Sequence, residues 1–184
     1  MSWESDPPVY RTKPLPTGEL RGEYLLAKGV LETSRQELVD FAVKGIRDCG
    51  HEGLVFWGGR EGGDLTAITT VIVPEVEHSH GRVNVSRRAY GIAARRARKR
   101  GIYLLAQVHS HPGSDNRHSD GDDEMIGLPI EGMLSVVVPN FGVGFCGLAD
   151  AGVHQFQEGR WVLCSEDSVE AHMTTPPGRL DARP

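Results

Sequence analysis

The chain has no long apolar run. In its 184 residues none approaches the ~20 consecutive apolar positions that a membrane span needs, so a membrane protein is not expected. The start, Met1 to Pro8, lacks a basic stretch followed by an apolar one, so no secretory signal is expected either. Cysteine is sparse. Cys49, Cys146 and Cys164 are an odd number without a C-x-x-C pair, which argues against a disulfide framework and for a reducing cytoplasm, with the thiols as small buried hydrophobes. No internal repeat is present. Net charge is low, −5, and what remains is an ordinary globular composition, 39% hydrophobic and 24% charged, long enough for one domain with a real core.

The low net charge hides one local excess. Arg87, Arg88, Arg95, Arg96, Arg98, Lys99 and Arg100 lie in one segment, interleaved with an apolar stripe of Ala89, Ile92, Ala93 and Ala97. That spacing predicts a helix over 86–99, capped by Ser86, with a solvated basic outer face. Apart from Tyr90 no base-stacking aromatic accompanies it, so nucleic acid is not an expected partner.

The most informative stretch is His109 to Asp122. Upstream, Gly101–Val108 is apolar and partly β-branched and reads as a buried strand. Residues two apart on a strand share a face, so His109 and His111 aim two imidazoles at one point, where Pro112 and Gly113 end the ladder. Downstream, Ser119 to Asp122 reads as a helix start delivering a carboxylate. Asp120 or Asp123 would serve on chemistry alone. Two histidines and one carboxylate leave a fourth position open, the coordination of a catalytic zinc.

The pattern H-x-H-P, six residues, S, two residues, D resembles the JAMM (MPN-plus, JAB domain) zinc metalloproteases at every fixed position: His109, His111, Pro112, Ser119 and Asp122. The motif spacing selects Asp122 as the acidic ligand. The resemblance implies one Zn2+ per chain and an α+β fold of JAB/MPN (cytidine-deaminase-like) type, a mixed, mostly antiparallel sheet flanked by helices. It implies Ser119 as the residue that holds the oxyanion or positions the water, and a glutamate before an earlier strand as general base. Glu52 stands there, ahead of Leu54–Trp57. Its surroundings depart from the family's E-x-x-G-L-L-x-G, since Gly59 fits but Val55 replaces the inner glycine, so this assignment rests on position. Glu32 and Glu37 are weaker candidates. His118, Asp115, Asp120, Asp123 and Glu124 surround the ligands, and one carboxylate among them is expected to orient an imidazole.

Around this motif the pattern predicts an extended arm over 1–20, a strand at 23–27, and a helix over 35–48 behind a capping box at Ser34–Glu37. Strands follow at 52–57 and 65–73, a polar loop at 74–84, an acidic helix at 120–127, and strands at 133–138, 141–148, 153–157 and 161–164. The 141–148 and 153–157 strands read as an edge pair joined by a turn at 150–152. The domain spans 21–164, with a flexible tail over 165–184. The second His-x-His, His78 and His80, reads as an exposed loop flanking the cleft rather than a second metal site.

The resemblance further implies hydrolysis after the C-terminal glycine of a ubiquitin-like modifier, either deconjugation or precursor processing. The chain looks most like compact prokaryotic members associated with ubiquitin-activating-like and conjugating-like enzymes, which suggests a bacterial modifier and a defence setting. The tail of such a substrate is expected to add a strand to an edge at 65–73 or 74–84. The alternatives are a non-catalytic MPN scaffold, a peptidase acting on a sulfur-carrier adduct, and DNA-repair-associated relatives of the fold. A zinc deaminase would need H-x-E and P-C-x-x-C, which are absent.

Overall fold

The computed structural model describes residues 14–176 apart from 46, 48 and 126–128. The expectations for residues 1–13 and 177–184, and for the ends of the helices predicted at 35–48 and 120–127, fall wholly or partly outside the described residues. In chain order the elements are β1 (Thr17–Gly18), β2 (Glu23–Leu26), α1 (Lys28–Lys44), β3 (Leu54–Gly62), β4 (Leu65–Ile72), β5 (Glu77–Ser79), β6 (Arg82–Asn84), α2 (Arg87–Arg98), β7 (Tyr103–Ser110), α3 (Asp120–Met125), β8 (Leu134–Val138), β9 (Gly152–Gln157), β10 (Arg160–Cys164), α4 (Glu166–His172) and β11 (Met173–Thr174).

β7 lies mid-sheet because its apolar run can be covered on both faces. It pairs antiparallel with β3 and parallel with β8, and every residue of β8 is buried. The sheet order is β1-β10-β9-β8-β7-β3-β4-β2-β11, and its two longest ladders, β3 with β4 and β3 with β7, are antiparallel. Thr17 of β1 and Met173 of β11, from opposite ends of that order, line one groove, so the sheet is curled.

Strand alternation divides the core between two helices. Val55 and Trp57 of β3 pack in the cluster that holds Val30 and Leu38 of α1. Leu54 and Phe56, on the other face, pack with Ala89, Ala93 and Ala97 of α2. Ser86 caps α2, accepting from the Ala89 N–H at 3.1 Å. Where β3 shifts register at Gly58–Gly59, a Cβ at Gly59 would run into the Ala67 carbonyl, so the close strand approach requires glycine. Among the described residues, no helix is long and apolar enough to cross a membrane.

Several local expectations are corrected. Helix α1 begins about two turns before Ser34, after Ala27, which makes no side-chain cap bond. Ser34 is a buried mid-helix residue: its hydroxyl donates to the Val30 carbonyl at 2.7 Å and accepts the Trp57 indole N–H at 2.8 Å. Ser34→Ala therefore leaves a buried indole N–H unpaired and is expected to destabilise the fold by about 1–3 kcal/mol, read by urea denaturation. Residues 77–84 form the β5–β6 hairpin, not a loop. The stretch 141–148 is not a strand, because Asn140, Phe141, Gly142 and Gly144 all take positive φ and the chain coils into short 3-10 turns at Asn140–Gly142 and Leu148–Asp150. β9 is consequently no edge strand but lies between β8 and β10. The start of the expected tail is structured: Ser165 caps α4, and β11 joins the sheet beside β2. Of the three thiols only Cys164 is buried, while Cys49 and Cys146 are exposed.

Candidate metal centre

His109 is the next-to-last residue of β7, paired with Leu54 on one side and Val137 on the other. His111 follows the strand end. Its backbone is held by its N–H to the Val138 carbonyl at 2.9 Å and by the Phe141 N–H to its own carbonyl at 2.8 Å. The coil that replaces the expected 141–148 strand thus clamps the histidine segment. Asp122 sits in the first turn of α3, where its Oδ2 accepts the Ser119 N–H at 2.6 Å while the Ser119 hydroxyl accepts the Asp122 N–H at 3.2 Å. This reciprocal cap orients the carboxylate toward the sheet.

These elements bring His109, His111 and Asp122 together, with one candidate donor atom from each lying within 4.8 Å of the others. His109 Nε2 is 3.2 Å from Asp122 Oδ1, and His111 Nε2 is 3.2 Å from Asp122 Oδ2. All three side chains are buried. His111 Nδ1 donates to the Asp115 carbonyl at 3.0 Å, which turns Nε2 toward the centre as a lone-pair donor. The orienting group is thus a backbone carbonyl, not the expected carboxylate. His109 is fully buried, and neither ring nitrogen has a hydrogen-bond partner among the described residues; the 3.2 Å approach to Asp122 is out of line for one. Such an orphaned imidazole is costly unless an ion takes a nitrogen. Two imidazoles and a carboxylate suit a borderline divalent cation, so the residues fit a metal.

Charge in the cluster is strongly coupled. Burial pushes Asp122 up, but His109 and His111 outweigh it and hold the carboxylate well below its ordinary range. Burial works against a charged His111, yet Asp122 and then Glu52 raise it. Glu52 lies just ahead of β3, 6% exposed, with its N–H on the Ser79 carbonyl at 2.8 Å. Burial raises its carboxyl to about 8. The nearby Asp122 adds to this, while His111 and a hydrogen bond from the Val83 backbone oppose it. Glu52 and Ser119 line the same cleft as His111 and Asp122. The hairpin forms one wall through His80 and Arg82–Asn84, so of the 78–80 segment His80 lines the cleft.

Of the support behind α3, sequence reasoning named His118 and Asp123 but missed His154, Ser135 and Gln107. His118 and His154 stack at 4.0 Å with rings 19° apart. His118 Nδ1 lies 2.9 Å from Asp123 Oδ1 and its Nε2 lies 2.7 Å from Ser135 Oγ, which also accepts from Gln107 Nε2 at 2.9 Å. Burial lowers both imidazoles and keeps them neutral. This network fixes the residue before Ser119. Beyond His118 and Asp123, the sequence signal for it is Gln107, a polar side chain inside an otherwise apolar strand.

Residues 40–146 match the family described as prokaryotic homologs of the JAB domain. A probable metalloprotease from Sinorhizobium fredii is 34% identical over 103 residues, which cover 54% of this chain and 63% of that protein. The chain therefore spans less than two thirds of that relative's length. The solution structure of a Desulfitobacterium hafniense protein overlays on 76% of this chain and 88% of its own, at 19% identity and a TM-score of 0.56, a likeness of fold. A JAB1/MPN domain protein from Archaeoglobus fulgidus overlays on 77% of this chain and 94% of its own at 15% identity, with a TM-score of 0.41.

Proposed function

The chain belongs to the prokaryotic homologs of the JAB domain, and from that premise we propose that it is a zinc-dependent peptidase or isopeptidase that cuts after the C-terminal glycine of a ubiquitin-like protein. The observation that carries this reading is the convergence of His109, His111 and Asp122 beside a buried Glu52. His109, His111 and Asp122 would hold a divalent cation, which would supply Lewis acidity and lower the pKa of water at the centre. Glu52 takes the proton from the attacking water and returns it to the leaving amine. Positive charge at the centre favours the Glu52 carboxylate, the form that takes the proton. The Ser119 hydroxyl, at the cleft wall, donates to the oxyanion of the tetrahedral intermediate.

The cleft geometry supports an extended substrate. β4, one of the two edges expected from the sequence, is flanked by β3 and by β2 along Leu65–Ile68. β6 pairs with β5 alone among the described residues and lines the cleft, so its outer edge suits a substrate strand whose terminal glycines reach the centre. The exposed thiols of Cys49 and Cys146 favour action in a reducing compartment, the cytoplasm. Ubiquitin-activating-like and conjugating-like enzymes are the functional partners this reading implies.

The test is a panel of C-terminal fusions to ubiquitin-like proteins incubated with the zinc-loaded chain. The expected result is cleavage after the terminal glycine, lost on chelation and restored by zinc. Zinc binding without cleavage of any fusion would favour the non-catalytic scaffold.

A further inference from the structure

A buried polar chain crosses the sheet behind the metal centre and ends on α3. Gln107 of β7, Ser135 of β8, His154 of β9 and the His118 that precedes α3 are all fully buried. Gln107 Nε2 donates to Ser135 Oγ at 2.9 Å, Ser135 Oγ lies 2.7 Å from His118 Nε2, and His118 Nδ1 lies 2.9 Å from Asp123 Oδ1. The acidic end fixes the direction of every link. A carboxylate only accepts, so the neutral His118 ring carries its proton on Nδ1. Nε2 is then an acceptor, and the single Ser135 hydroxyl proton goes to it. Hydrogen bonds thus run one way, from Gln107 to Asp123, and both ring nitrogens of His118 are used. The faces of that ring are held as well. His154 stacks on it at 4.0 Å, and Trp161 meets it edge-on at 5.2 Å. His154 Nε2 also accepts the His118 N–H at 3.3 Å.

His118 and Asp123 stand on either side of the segment that carries Ser119 and Asp122. Inside it, the Ser119 N–H reaches Asp122 Oδ2 at 2.6 Å and the Asp122 N–H reaches Ser119 Oγ at 3.2 Å. Helix α3 has only six residues, well short of the ~12–15 at which an isolated helix is even marginal in water. Its own backbone bonds therefore do not fix where its first turn points. The His118 ring does, because it ties Asp123 to β8, the strand paired with the one that bears His109. We propose, on the reading that His109, His111 and Asp122 hold a cation, that His118 is a positioning residue: by bridging Ser135 and Asp123 it sets the aim of the Asp122 carboxylate at the shared ion. His118 acts through Asp122 and is no ligand itself. The buried chain behind it makes the aim a property of the sheet rather than of the short helix.

The test is a Co2+ titration of the full chain, read in the visible d–d bands, which report the geometry at the ion. Urea denaturation of the metal-free proteins is measured alongside. His118→Phe keeps a flat ring between His154 and Trp161 and removes both nitrogens. Asp123→Ala cuts the chain at its partly exposed end, where truncation leaves a folded protein and decides the matter even if His118→Phe does not fold. Asp123→Asn loses the same charge yet keeps an oxygen to accept the Nδ1 proton. The expected result is altered bands and Co2+ affinity lower by about 10–100-fold in His118→Phe and Asp123→Ala, with bands and affinity close to wild type in Asp123→Asn. Ser34→Ala, which weakens the fold without touching this chain, should leave both readings unchanged. Wild-type bands and affinity in Asp123→Ala, or an Asp123→Asn as impaired as Asp123→Ala, overturn the proposal. Wild-type protein that binds no Co2+ overturns the metal reading itself, a separate outcome.

Discussion

Glu52→Gln is expected to abolish most hydrolysis while leaving the cation in place. The substitution conserves shape and can still accept the Val83 N–H, and the three metal donors are untouched. What it removes is the proton acceptor, so kcat should fall by about 10²–10⁴-fold with KM little changed. A steady-state comparison, with metal content measured on the same samples, checks both halves. Retained turnover would move the base to another residue. Loss of metal together with activity would make Glu52 a determinant of the centre's structure instead.

The same substitution carries a stability signature in chelated protein. The folded-state value of Glu52 is raised to about 8 by burial, above its ordinary value in an unfolded chain. Between about pH 4.5 and 8 the folded form therefore keeps a proton that the unfolded form has released. Stability falls as pH rises through that window, by about 4 kcal/mol in total. Glu52→Gln has no such proton. Denaturant unfolding of the two metal-free proteins should show the variant gaining on the wild type from pH 5 to pH 8, because pH effects from His118 and His154 cancel in the difference. A bound cation reverses the logic, since positive charge beside Glu52 favours the carboxylate.

What the sequence disclosed followed the range over which its signals act. His109 and His111 are placed by strand period, and Asp122 by a helix start only three residues long, so local geometry decides both. Glu52 depended on its position ahead of an apolar strand, and β3 holds that place. Misreadings arose where a local pattern was outvoted by tertiary contacts. Ser34-x-x-Glu37 has the form of a capping box, but Trp57, a partner in a different element, makes Ser34 a core residue. Phe141–Leu148 alternates like a strand, yet hydrogen bonds to Gly113 and His111 wind its start around the histidine segment. The β5–β6 hairpin is too short and polar to announce itself, and its pairing to the Glu52 segment runs through Ser79 and His78. His154 reaches His118 only because β9 pairs with β8, a contact no window of sequence contains.

Asp122→Asn is expected to cost the centre its cation and to change how the remaining imidazoles titrate. The amide oxygen can still accept the Ser119 N–H, so the α3 start and the fold should persist. The charge that draws a dication into a buried pocket is gone, and affinity should fall by more than the roughly 10–100-fold typical of outer ligand contacts. The pH dependence follows from the coupled charges. In the wild type Asp122 remains ionised under ordinary conditions, because His109 and His111 more than offset its burial. Acid therefore weakens cation binding through His111, whose proton affinity Asp122 and Glu52 raise and whose proton must leave before Nε2 can bind. Removing the Asp122 charge removes the larger part of that elevation. Any residual binding should then resist acid better, its midpoint shifted to lower pH even as its strength drops. Zinc calorimetry near pH 6 and near pH 8, in buffers of different ionisation enthalpy, separates the two effects: affinity from the isotherm, protons released from the buffer dependence. An unchanged isotherm would mean that the ion sits elsewhere in the molecule.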